Sequence, residues 1–116
     1  MGNFRSLRVW QEVKDLAVYI YKLTNEGSFS KDFRFRDQIR AASISIASNI
    51  AEWDELNTNK QAINFFYIAK GSTAEVLTQT IIAYEVGYLG KEAHNSIVDK
   101  CEFISIMLLK LIKARS

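Results

Sequence analysis

Residues 58–86 read TNKQAINFFYIAKGSTAEVLTQTIIAYEV, and this stretch decides the fold. Thr58 with Gln61 three residues later fits a capping box, which predicts a helix starting at Asn59 or Lys60. Nothing in the run breaks it before about Val86. Two apolar stripes lie on nearly opposite sides of that helix. Ile63, Tyr67, Ala74, Leu77, Ile81 and Tyr84 make the first; Ala62, Phe65, Ala69, Ser72, Val76 and Ala83 make the second. A helix in an isolated bundle buries one stripe and wets the other side, so a second stripe needs a second partner. Gly71 sits in the middle, where it costs about 1 kcal/mol against Ala unless a neighbour needs the close approach.

Working outward, the same period recurs in three more segments. Val9, Val13, Leu16, Ile20 and Leu23 form one stripe of a helix over about residues 7–25, with Trp10, Ala17 and Tyr21 as its shoulder. Glu26-Gly27-Ser28 reads as a stop and turn. A second helix over about residues 32–53 carries Phe35, Ile39, Ala42, Ile46 and Trp53, with Asn49 and Ile50 beside them. Its far side holds Arg40, Ala41, Ile44, Ala47 and Ala51 rather than a normal solvated face. A polar break follows at 54–57. After the third helix, Gly87 and Gly90 bracket a turn. The fourth helix, about residues 91–114, spaces Ile97, Cys101, Ile104, Leu108 and Leu111 like a heptad and ends in Lys110, Lys113 and Arg115, which suit the helix dipole. Short connections predict an all-α, antiparallel up-down-up-down four-helix bundle, with residues 1–116 as a single domain.

Composition supports this. With 5 Gly and no Pro among 116 residues, the chain lacks the turn formers that a β-sandwich or barrel needs. One Cys cannot form an internal disulfide, so a bridge-stapled secreted scaffold is excluded and a cytoplasmic setting is the expectation. No run is apolar and long enough for a membrane span, and residues 1–10 carry no signal-peptide pattern. A net charge of +2 is too small for a dedicated nucleic-acid-binding tail.

The two middle helices carry more apolar surface than so short a chain can cover. Ile44, Ala47, Ala51, Phe65, Ala69, Ser72 and Val76 are therefore the expected contact with another copy. The alternative is that these positions are mostly small simply because Ala is a good helix former.

Residues for chemistry are scarce. His94 and Cys101 lie seven apart on one helix, about 10 Å along its axis, too far for a dyad. Cys101 falls in a core stripe, and His94 near a helix start, where it is expected to face solvent. No metal-ligand spacing and no phosphate loop occur, so neither metal nor cofactor is expected. Nothing in the spacing of Glu52 and Glu75 supports an enzyme built on them. Lys31, Arg34, Arg36 and Arg40, interleaved by Phe33 and Phe35, are four of the chain's 15 Lys and Arg, a pattern that can hold a phosphate backbone and stack bases. Asp32 and Asp37 sit among them, and an Asp32–Arg36 pair would make part of the cluster ordinary surface charge. Asn49, Glu52, Glu75 and Gln79 are polar among apolar neighbours, suited either to a binding groove or to fixing helix register.

Residues 38–52 read QIRAASISIASNIAE and residues 69–89 read AKGSTAEVLTQTIIAYEVGYL. With Val9-Trp10 and VYIYKLT at 18–24, the chain resembles the four-helix-bundle family of the 23S rRNA intervening-sequence proteins along nearly its whole length. It is similar through them to the accessory variability protein of diversity-generating retroelements. Gln38, Ile39, Arg40, Ala42, Ser45, Ile46, Ser48, Asn49, Ile50, Ala51 and Glu52 match the pattern, as do Gly71, Ser72 and Glu75. The resemblance implies a homopentameric ring that binds RNA or DNA, or a nucleic-acid-bound protein such as a reverse transcriptase, with no established reaction. A ring would repeat Lys31, Arg34, Arg36 and Arg40 in every subunit and concentrate their field. Three departures stand out: Ala41 where the family has a second Arg, Ala47 where it has Pro, and Trp53 where it has Gly. The first weakens the nucleic-acid case. The second predicts a straighter second helix, and the third a longer one with a changed exit. The expected function is a non-catalytic oligomeric binding module, with a purely structural scaffold for a protein partner as the alternative.

Overall fold

The computed structural model describes residues 3–54 and 58–115. A 3-10 turn, Phe4–Ser6, leads into α1, Arg8–Thr24; a second 3-10 turn, Gly27–Lys31, joins it to α2, Phe33–Asp54. α3 spans Asn59–Glu85 and α4 Lys91–Arg115, with no strand among the described residues. These bounds lie within a residue or two of those the periodicity predicts. Of the polar break expected at 54–57, Asp54 belongs to α2 and residues 55–57 lie outside the described residues. At about 1.5 Å per residue, α3 alone is about 40 Å long, which sets the long axis of a 44 × 21 × 20 Å body. α2 packs most extensively on α3, α3 next on α4, and α1 least on α4. That sparse seam is bridged by an ion pair between Lys100 and Glu12 and by the Arg8 guanidinium 5.2 Å from the Phe103 ring centre. An open cleft lies between them.

The helix ends follow their sequence signals. Thr58 Oγ1 accepts from the Gln61 backbone N–H at 3.3 Å, as the capping pattern predicts. At the far end of α3, the Tyr88 N–H donates to the Ala83 carbonyl (2.8 Å) and the Gly87 N–H to that of Tyr84 (3.1 Å). This paired closure needs a left-handed residue, and Gly87 supplies φ +86°. Gly71 is different. A Cβ there would meet nothing within 4 Å, so no contact among the described residues requires a glycine mid-helix.

The core stripes of α1, α2 and α4 are the expected ones, with Thr24 and Ile112 buried where Leu23 and Leu111 are only half-buried. α3 is the correction. Its buried face is Ala62, Phe66, Ala69, Thr73, Val76, Thr80 and Ala83, so Ala69 and Val76, expected between subunits, are fully enclosed within this chain. Small residues there let α2 approach closely. The hydroxyls of Thr73 and Thr80 donate to the carbonyls of Ala69 and Val76, one turn back, at 2.8 and 2.7 Å. Their polarity is consumed locally, which lets them sit in an apolar core. The other stripe, with Tyr67 and Ile81, faces outward.

Two residues lock helix ends. Arg40 reaches from α2 to the end of α1: its Nε donates to Thr24 Oγ1 and an Nη to Asn25 Oδ1, both at 2.8 Å, while its guanidinium lies 4.5 Å from the Tyr21 ring centre. Arg40→Ala is therefore expected to destabilise the fold by about 1–2 kcal/mol, read as a lower urea midpoint, because hydrogen bonds to a charged group are lost. Arg40→Lys should recover only part of this, since an ammonium cannot reproduce the planar fork. At the other end Trp53 is buried against Phe66, ring centres 4.6 Å apart. α2 runs unbroken through Ala47 and one residue past Trp53.

Candidate functional site

Three surfaces stand apart from the core. The first is a groove of about 470 Å³ between α1 and α2, walled by Ala17, Val18 and Tyr21 on one side and Ile44 and Ala47 on the other. Val18 is 46% and Ile44 44% exposed, high for aliphatic side chains in a concave site. Its charged rim is wholly basic, Lys14 and Lys22. A neighbouring recess at Ala51, Ser48 and Phe4 ends at Glu52. Of the expected contact residues, Ile44, Ala47 and Ala51 are thus brought together here, and Val18 and Tyr21 of α1 join them. Periodicity gives Tyr21 only as a shoulder and does not single out Val18; their position opposite Ile44 requires the helix pairing.

The second surface is the outward face of α3, where Tyr67, Ile68 and Ile82 are 57%, 50% and 48% exposed. Gly71 lies among them, and the exposed charges from Gly71 onward are Glu75 and Glu85. The remaining expected contacts, Phe65 and Ser72, are half-buried on α3 and do not line the groove. Ser72 Oγ lies 3.0 Å from Ser45 Oγ, and Asn49 Nδ2 donates to Ser45 Oγ (3.1 Å) and to its carbonyl (2.8 Å). Both Asn49 bonds run one turn back within α2, while Gln38, Glu52 and Glu75 are exposed. Gln79 is buried, with an Oε1 that has no hydrogen-bond partner among the described residues.

The third surface is the start of α2. Phe33 is 64% exposed, with the Arg36 guanidinium 4.9 Å from its ring centre, and Lys31 and Arg34 exposed beside it. The cluster expected there divides. Arg40 is committed to α1, and Arg36 donates to Asp37 Oδ1 (3.0 Å) and to the Ser30 carbonyl (3.3 Å). The expected Asp32–Arg36 pair is replaced by this bond to Asp37. Asp32 instead accepts from the Phe35 N–H (3.2 Å), capping α2, and from the Tyr88 hydroxyl (2.8 Å), a bond that raises the phenol's pKa. Phe35 turns inward against Phe29 and Tyr88.

His94 is half-buried rather than solvent-facing, because its ring packs 4.5 Å from that of Tyr84. Cys101 is buried, and burial pushes its thiol up to about 12, with the Glu102 charge adding. Between the ordinary value near 9.0 and about 12 the unfolded thiol loses its proton while the folded one keeps it, so this group's contribution to stability falls as pH rises through that window. The alkaline fall in stability should be steeper for the wild type than for Cys101→Ala, and iodoacetamide should label Cys101 only as the chain unfolds.

The fold and these surfaces define an all-α, four-helix protein with apolar faces left open on two of its sides. The chain matches the 23S rRNA-intervening sequence proteins over residues 5–110, and belongs to that family. A crystal structure of a protein of unknown function from the S23 ribosomal protein family of Bacteroides thetaiotaomicron VPI-5482 is similar, with a TM-score of 0.83 and 26% sequence identity. That alignment covers 90% of this chain and 98% of the other. The comparison with curated proteins gave no match.

Proposed function

We propose that this protein is a non-catalytic assembly and binding module: an antiparallel up-down-up-down bundle whose copies associate into a ring in the cytoplasm and hold structured RNA at its rim. The observation that carries the reading is the pair of open apolar faces, on the α1/α2 groove and on α3, around an otherwise closed core. Faces of that kind mark association sites. The antiparallel course is supported by end-to-end contacts such as Arg115, at the end of α4, donating to Asn59 at the start of α3 (2.9 Å). A pentamer is the ring size implied by the family likeness. The RNA part rests on Phe33, an exposed aromatic beside Lys31 and Arg34, cations with no ion-pair partner among the described residues, and on the words 23S rRNA in the family's description.

Light scattering at tens of micromolar is expected to give a multiple of the 13.3 kDa chain mass; a monomer would reject the assembly. In a gel shift with an RNA hairpin, affinity should fall steeply between about 50 and about 200 mM salt and weaken in Lys31→Ala and Arg34→Ala. An absent or salt-independent shift would remove the RNA part and leave a scaffold for a protein partner, the reading favoured by Arg40's commitment to α1.

A further inference from the structure

We infer that the outward face of α3 in one copy docks in the α1/α2 groove of the next, so that the contact between copies of this chain joins two unlike surfaces. The inference rests on the self-assembly proposed above and names its two halves. One half is a convex ridge, Tyr67, Ile68, Ile81 and Ile82; the other is a concave trough with Val18 and Ile44 in its walls. Charge favours this pairing. From Gly71 onward the ridge carries Glu75 and Glu85, about 15 Å apart along α3, while its cations, Lys60 and half-buried Lys70, lie on the other side of Gly71; the trough carries Lys14 and Lys22, about 12 Å apart along α1. Lys14 holds Asp15 at 2.7 Å in an exposed pair, and Lys22 has no ion-pair partner among the described residues. Trough on trough would set like charges together, and so would the Glu75–Glu85 halves of two ridges; that half of a ridge in a trough sets unlike ones together.

Gly71 is the independent observation. It stands mid-helix, at the centre of the ridge, with open space where its Cβ would be. A helix interior disfavours glycine, and no neighbour among the described residues requires it. Close approach of another copy's backbone to the ridge would account for it. Because the two surfaces differ, each bound copy presents a fresh ridge or trough, and such contacts continue until the rotation closes a ring.

The test uses two full-length variants altered at exposed positions, Ile44→Asp in the trough and Ile68→Asp on the ridge, each checked for unchanged helical ellipticity. Each variant alone should be monomeric at concentrations where the wild type assembles. Mixed, the intact ridge of one and the intact trough of the other should form a 1:1 dimer that grows no further. Gly71→Leu should also lose assembly and keep its fold. Two monomeric variants that stay monomeric on mixing would overturn the inference, as would either variant assembling like the wild type; both results leave the assembly reading standing. A monomeric wild type would overturn both.

Discussion

Replacing Trp53 by alanine is expected to destabilise the protein by about 3–5 kcal/mol, the range for truncating a buried aromatic. Three contacts are lost together. The indole is buried beside Phe66; its face carries the Arg115 guanidinium at 4.8 Å; and Arg115 in turn donates to Asn59. Trp53 thus ties the end of α2 to the start of α3 and the end of α4. An aromatic pair adds about 0.5–1.5 kcal/mol beyond area burial and an exposed cation–π contact about 0.5–1, so the upper half of the range is expected. For a chain of this length the thermal midpoint should fall by about 10–20 °C. Trp53→Phe keeps a ring against Phe66 and should lose much less. A fall under about 3 °C for Trp53→Ala would show that this junction does not hold the helix ends.

Val76→Asp is expected to abolish the native fold. Val76 is 0% exposed inside the single chain, with its carbonyl accepting from Thr80 and no cation on the surrounding stripe. An unpaired carboxylate there costs several kcal/mol, against a total stability of about 5–15 kcal/mol for a domain. Loss of the cooperative thermal transition and of near-ultraviolet dichroism is the expected readout. Were Val76 in a contact between copies, the same substitution would give a folded monomer with native dichroism, and that result would reverse the burial described for α3. Ile44→Asp provides the contrast, because its side chain is exposed and the fold should survive.

Helix number, bounds and three of the four core stripes were legible in the sequence because large aliphatics at steps of three and four leave one solution. α3 resisted the same reasoning for a physical reason. Its two faces are both apolar, and the buried one is mostly Ala and Thr, with one Val, one Phe and Gln79, so that its mainly small residues serve close packing rather than apolar area. Periodicity finds both stripes but cannot say which of them α2 covers. The candidate site divided along the same line. Ile44, Ala47 and Ala51 are visible as a far-side stripe on α2, while their partners Val18 and Tyr21 depend on which helix lies alongside. Arg40 looked like a surface cation because its acceptors, Thr24 and Asn25, are distant in sequence.

The thin seam between α1 and α4 has a consequence for how the molecule breathes. Among the described residues an ion pair and a cation over a ring bridge it, beside an open cleft, whereas α2 and α4 each pack far more extensively on α3. The first helix is therefore the one expected to lift away in partial openings, at a lower free energy than complete denaturation. Its amide hydrogens should trade with deuterium ahead of those in the other three, and added electrolyte, by shielding Glu12 from Lys100, should hasten the trade.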